Sequence, residues 1–146
     1  VPGIRVRVDY SDDFANPSKC RRVALGQIAA GSKVVFNVAG TCGLGALSAG
    51  REKGVWGVGV DIDQSFLGPH ILTSAVARFD RGVYDTVHRF VNGRLAPGAT
   101  TVYDVRGGGV ELGHISPKVP SAFLRRVSQI RRQIANGTIV VPRPAG

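Results

Sequence analysis

Asp61 and Asp63 stand two residues apart in Gly59-Val60-Asp61-Ile62-Asp63-Gln64, immediately after the apolar run Val55-Trp56-Gly57-Val58. A carboxylate at that point has three uses open to it. It can accept two hydrogen bonds from neighbouring sugar hydroxyls. With its partner two residues on, it can hold a hard divalent cation on a phosphate or nucleotide sugar, since such cations take oxygen ligands. It can also cap the turn that follows a strand. The metal use would imply an enzyme, but no third acid lies nearby in the chain.

Three other groupings carry chemistry. Gly40-Thr41-Cys42-Gly43-Leu44-Gly45 lacks the dinucleotide-binding spacing and the lysine of a phosphate-binding loop. Its backbone N–H groups would still approach a ligand closely, because glycine presents no Cβ; a tight turn explains it equally well. Tyr10 and Phe14 are aromatics in a loop. Phe14 either stacks on a flat ligand or staples the helix that follows. Cys20 and Cys42 are too few for a zinc site and form no C-x-x-C. They read as a disulfide between neighbouring helix starts, or as two buried thiols. His70, His88 and His114 are scattered, and Ser48 lies in Ala46-Leu47-Ser48-Ala49-Gly50 without a nucleophile elbow. Nucleophilic catalysis, a resident metal and a cofactor are therefore unsupported.

The elements that position these residues alternate. Val55–Val60 is apolar or glycine throughout, the pattern of a strand covered on both faces, as in a parallel sheet. Ligands of open α/β sheets bind at the carboxyl ends of such strands, where Asp61 stands. A strand is predicted at Arg5–Asp9 with Val6 and Val8 inward. A helix follows from Asn16-Pro17 to about Ala30, stopped by Gly31. Lys33–Ala39 reads as a buried strand and Gly43–Lys53 as a helix ended by Gly54. Beyond Gln64, Ile71–Ala77 reads as extended, and Asp80–Asn92 as a helix with Val83, Tyr84, Val87, Phe90 and Val91 on one face. Thr100–Val105 reads as a strand, Pro120-Ser121 to Asn136-Gly137 as the last helix, and Ile139–Val141 as a short edge strand. Strand–helix alternation predicts an α/β fold, a parallel Rossmann-like sheet with helices on its faces and right-handed crossovers.

At 146 residues the chain is one domain of ordinary size, and 43% hydrophobic residues against 20% charged exclude a disordered chain. No apolar run approaches the roughly 20 residues that span a bilayer. The chain has no methionine and opens on Val1-Pro2-Gly3, which reads as a processed protein or a piece of a longer one. Net charge is +9, which invites a nucleic-acid partner. Its distribution argues against one. In the last helix Phe123, Val127, Ile130 and Ile134 fall within roughly 60° of one another on the wheel. Arg125 and Arg132 lie opposite that stripe, with Arg126 and Arg131 flanking it. That is a solvated helix surface.

Several strings together resemble the C-terminal part of the basic membrane protein family of substrate-binding lipoproteins, a group that includes purine nucleoside receptors of ABC importers. They are Val35–Gly40 with Gly43-Leu44-Gly45, Gly59–Ser65, Leu72-Thr73-Ser74, Tyr84-Asp85 and Gly113–Pro120. The resemblance implies one lobe of a type I periplasmic-binding-protein fold, with residues 1–146 as a single C-terminal lobe fragment. The segment 71–95 would be a hinge strand and a helix belonging to the other lobe. Its Val83, Val87 and Phe90 face would then be an open patch able to pair with a second copy. The resemblance further implies an extracytoplasmic, non-enzymatic receptor that works with an ABC permease, held at the membrane by a lipid anchor outside this chain. Asp61 matches the acid on the ribose hydroxyls, Phe14 the aromatic on the base, and Gly40 a close backbone contact, with Asp63 alongside. Alanine stands at Ala77 where the family often has lysine, which leaves Arg78 as the nearby cation. Two rival readings follow from the same residues: a ligand-sensing domain of a regulator, and a metal-dependent enzyme built on Asp61 and Asp63.

Overall fold

A computed structural model describes residues 3–142. Asn16 and Pro17 begin the first helix, α1 (Pro17–Ala29): the Asn16 side chain accepts the Ser18 N–H at 3.1 Å, and Pro17 sits where no intrahelical donor is needed. Gly31, at φ +99°, turns the chain out of it. Strand β1 (Val34–Phe36) follows, then a 3₁₀ turn (Gly40–Cys42) running into α2 (Gly43–Glu52). Next come β2 (Trp56–Asp61), a second 3₁₀ turn (Ser65–Leu67), β3 (Ile71–Ala77), α3 (Phe79–Val91), β4 (Val110–Leu112) and α4 (Ser121–Ala135).

The four strands make one sheet in the order β1-β2-β3-β4. β1 and β2 pair in parallel, Val34 opposite Trp56 and Phe36 opposite Val58. Beside β3 the hydrogen bonds run the other way: Gly113 N–H reaches Ser74 C=O at 2.9 Å and Ser116 N–H reaches Leu72 C=O at 2.8 Å, an antiparallel progression. The fold is α/β with a mostly parallel sheet.

The chain divides into two compact units, one ending at Ala75 and taking in Leu112–Ser116, the other made of Val76–Glu111 and the chain from Pro117. In the first, Cys20, Ala24, Val35, Cys42, Ala46 and Ala49 form the core, with Leu25, Ile28, Ala39 and Val55 packed around it. Leu47 and Ile71 are also buried. A Cys20–Cys42 disulfide, Cα atoms 5.5 Å apart, ties α1 to the start of α2, and an Arg21–Glu52 ion pair links the same helices. The helices can close this far only because Gly45 has no side chain: a Cβ there would stand 1.8 Å from the Pro17 carbonyl oxygen.

The second unit has no buried apolar side chain among the described residues. Its α3 is strongly two-faced, yet Phe79, Val83, Tyr84, Val87, Phe90 and Val91 are all exposed. Its polar links include Arg78 on Asp80 and Glu111, Arg106 Nε donating to Ala135 C=O at 2.8 Å, and Arg89 donating to Thr101 Oγ1 at 3.1 Å, beside half-buried Tyr103, Leu124, Ile130 and Ile134.

Three predicted strands are absent. Arg5–Asp9 joins no sheet, and Val6 and Val8 are exposed rather than inward. Alternation sets a face, but a strand also needs a ladder partner, and this segment has none. Thr100–Val105 is irregular because Asp104 folds it into a turn, accepting Gly107 N–H on its side chain and Gly109 N–H on its carbonyl. Ile139–Val141 is likewise not a strand. The strand at Lys33–Ala39 is shorter, Val34–Phe36. β4 was hidden behind Gly107-Gly108-Gly109, whose composition reads as loop.

Candidate functional site

The first unit gathers its chemically notable residues at the carboxyl ends of β1 and β2. β2 ends on Asp61, which is exposed and takes φ +68°. Ile62 N–H closes back onto Val60 C=O at 2.8 Å, making Asp61 the middle residue of a three-residue turn. A left-handed residue inside such a turn is the rare, strained form of γ-turn, and strain of that kind in a non-glycine residue costs about 1–3 kcal/mol. The Asp61 carboxylate has no hydrogen bond or ion pair with a described residue.

The turn is clamped from inside. Buried Gln64 accepts the Val60 N–H on Oε1 at 3.2 Å, and its own N–H donates to the fully buried Ser74 Oγ at 2.9 Å. Gly59 must be glycine, since a Cβ there would lie 2.5 Å from Ser74 Oγ and 2.6 Å from Gln64 Oε1. Asp63 is spent on the same loop. Its oxygens accept Ser65 N–H at 3.1 Å and Ser65 Oγ–H at 3.2 Å. Burial pulls the Asp63 carboxyl upward, but the backbone N–H groups of Ser65 and His114, the Ser65 hydroxyl and the His114 charge outweigh it and hold it below the usual carboxylate range. The pair thus divides into one free carboxylate and one structural one, and no group of three metal-ligating side chains exists among the described residues.

β1 delivers the second cluster. Gly40 takes φ +55°, and a Cβ on it would stand 2.9 Å from the Phe14 carbonyl oxygen. Cys42 N–H and Thr41 Oγ1–H both donate to that oxygen at 3.1 Å. Phe14 is therefore pinned by its backbone to the glycine turn while its ring stays 76% exposed, too open to serve as a staple. Just upstream, Asp13 Oδ1 accepts Ala15 and Asn16 N–H at 2.8 and 2.9 Å, and those two bonds hold its carboxyl below the usual range. Because β1 and β2 are parallel neighbours, Phe14, Gly40 and Asp61 share one edge of the sheet.

Two residues fall outside that picture. Arg78 belongs to the second unit, where its guanidinium forks onto Asp80 at 2.9 and 2.7 Å and reaches Glu111 at 3.3 Å. The Asp80 carboxylate, hydrogen-bonded and charged against it, raises the guanidinium further. Asn37 was not singled out from the sequence. It is buried at the end of β1, packed where a Gly43 Cβ would be, and neither amide atom meets a protein partner. The signal was there to see: one polar residue interrupts Lys33–Ala39 just before the glycine turn.

Proteins similar to this chain include ABC transporter binding proteins and a transcriptional activator. A family model described as ABC transporter substrate-binding protein PnrA-like matches residues 2–144. Among curated relatives, the ABC transporter nucleoside-binding protein BmpA of Lactococcus lactis is 27% identical over 95% of this chain and 44% of its own length. The structure of a transcriptional activator of the comK gene from Bacillus halodurans aligns with a TM-score of 0.84 at 23% identity, over 92% of this chain and 48% of the other. A solute-binding protein of an ABC transporter system from Aeropyrum pernix aligns at 0.83 and 19%, over 99% and 50%. The chain spans about half the length of the proteins it matches.

Proposed function

The chain belongs to the family of PnrA-like ABC transporter substrate-binding proteins, and on that premise we propose that it is the C-terminal, ligand-presenting part of an extracytoplasmic receptor for a purine-nucleoside-like solute. The ligand sits at the carboxyl edge of the first unit. Asp61 accepts hydrogen bonds from two adjacent ribose hydroxyls, the Phe14 ring stacks on the base, and the Gly40 backbone closes against the ligand where a side chain would obstruct it. Asp63 serves this site by holding the loop after Asp61. The protein binds and releases its solute without transforming it, and an ABC permease takes the solute onward.

The single observation that carries the reading is the state of Asp61: exposed, strained and free of any described partner, at the end of a strand whose neighbouring carboxylate is already spent. A carboxylate kept idle in a costly conformation calls for a use outside the protein.

On this reading the α3 face carrying Val83, Val87 and Phe90 packs in the other lobe that the family resemblance implies, and that lobe supplies the remaining ligand contacts. A ligand held on one side only loses most of its binding energy. Calorimetric titration with guanosine is expected to give a dissociation constant on the order of 1 mM for this chain, about 4 kcal/mol. Micromolar affinity would contradict the half-site, and no heat at all would contradict the ligand class.

A further inference from the structure

The loop after β2 does more than connect. Asp61 owes its left-handed turn to contacts made by buried residues: Gln64 Oε1 takes the Val60 N–H on one side of the turn, and Ser74 Oγ takes the Gln64 N–H and so fixes Gln64 itself. Ser74 lies in β3, so the clamp joins the carboxylate's loop to the next strand of the sheet. Gly59, with no room for a Cβ against either side chain, lets both approach the β2 backbone. A free loop would relax Asp61 to an ordinary φ and swing its carboxylate away from the edge.

We propose that Gln64 and Ser74 are positioning residues that hold the Asp61 carboxylate, before any ligand arrives, in the orientation that reads a pair of ribose hydroxyls. This rests on the proposed nucleoside reading for its ligand, but not for the clamp. A preset carboxylate loses little freedom on binding, so the clamp acts on discrimination between sugars and leaves stacking on the base alone.

Two measurements test it. Without ligand, Asp61→Gly relieves the strain and is expected to lower the unfolding constant of the intact chain roughly two- to fivefold in urea titration, glycine's own flexibility offsetting part of the gain. In a Gln64→Met background, where the Val60 N–H loses its acceptor, that gain disappears. If Gln64→Met fails to fold, Ser74→Ala removes the second bond and takes its place. No gain in the parent chain, or the same gain in both backgrounds, overturns the clamp. With ligand, NMR titration compares guanosine with 2′,3′-dideoxyguanosine. The parent chain is expected to favour guanosine about tenfold, the order of one net charge-assisted hydrogen bond. Gln64→Met is expected to bring that ratio near one while the dideoxy affinity stays unchanged. An equal loss for both nucleosides would mark a merely structural role and overturn the proposal. Absence of nucleoside binding in every variant would instead overturn the ligand class, leaving the unfolding cycle to decide the clamp.

Discussion

Both units are built from two-faced helices, but only the first closes a core over them. There, α1 and α2 meet across Gly45, a disulfide and a cluster of small side chains, and the sheet edge they support carries a free carboxylate, an open aromatic ring and a glycine turn. In the second, α3 shows a more sharply divided pattern of apolar and polar residues than either α1 or α2. That apolar face nevertheless stands in solvent. Amphipathic patterning therefore states that a helix needs a partner, without showing that the partner is present.

Substitution of a large apolar side chain in each unit should separate them most widely. Leu47→Ala, at a fully buried position, is expected to cost about 2–5 kcal/mol in urea unfolding. Phe90→Ala, at a ring 70% exposed, should stay within about 0.5 kcal/mol. Equal losses would erase the distinction. Reduction of Cys20–Cys42, which closes a separation of 22 residues, comes next: about 3 kcal/mol, confined to the first unit. Amide exchange should then quicken in α1 and α2 and be unchanged in α3.

The contrast also explains what could be read from the chain beforehand. Helix limits were legible because local residues determine them: Asn16-Pro17, Gly31, Gly54, Asn92-Gly93 and Asn136-Gly137 all act on their own turn of backbone. β2 was legible from its unbroken apolar run. β3 was legible too, read as extended over Ile71–Ala77, but Arg5–Asp9 and Val110–Leu112 were misjudged, since they differ in whether a partner strand is at hand and nothing in either segment encodes that. At the candidate site, Asp61, Phe14 and Gly40 could be named from residue type and position. The unequal fates of Asp61 and Asp63 could not, because they depend on Ser65 and His114 folding back onto one of two identical side chains.

Smaller effects sharpen the same comparison through pH. In the first unit, burial pushes His70 below its ordinary value of 6.5, helped by the Arg51 charge and opposed by the Leu47 carbonyl. The unfolded chain then binds the extra proton more readily, so stability is full above about 6.5 and declines as pH falls. His70→Gln should flatten that decline. In the second unit, the Asp80 carboxyl is drawn from 3.8 to about 2 by its hydrogen bonds and charge contact with Arg78. Its contribution is complete above 3.8 and is lost progressively as pH falls from there through about 2, and Asp80→Asn should remove it. The exposed α3 face gives the smallest signal: weak self-association in sedimentation velocity, abolished by Phe90→Asp with no change in unfolding.

The most direct test of the account is where guanosine lands on the first unit. In a two-dimensional NMR titration of the intact chain, the amides of Phe14, Gly40, Asp61 and Ile62 are expected to shift together, and Asp61→Ala should weaken that titration about tenfold while leaving the core amides of Val35 and Leu47 in place. Shifts that gather elsewhere, or that persist unchanged in Asp61→Ala, would contradict it.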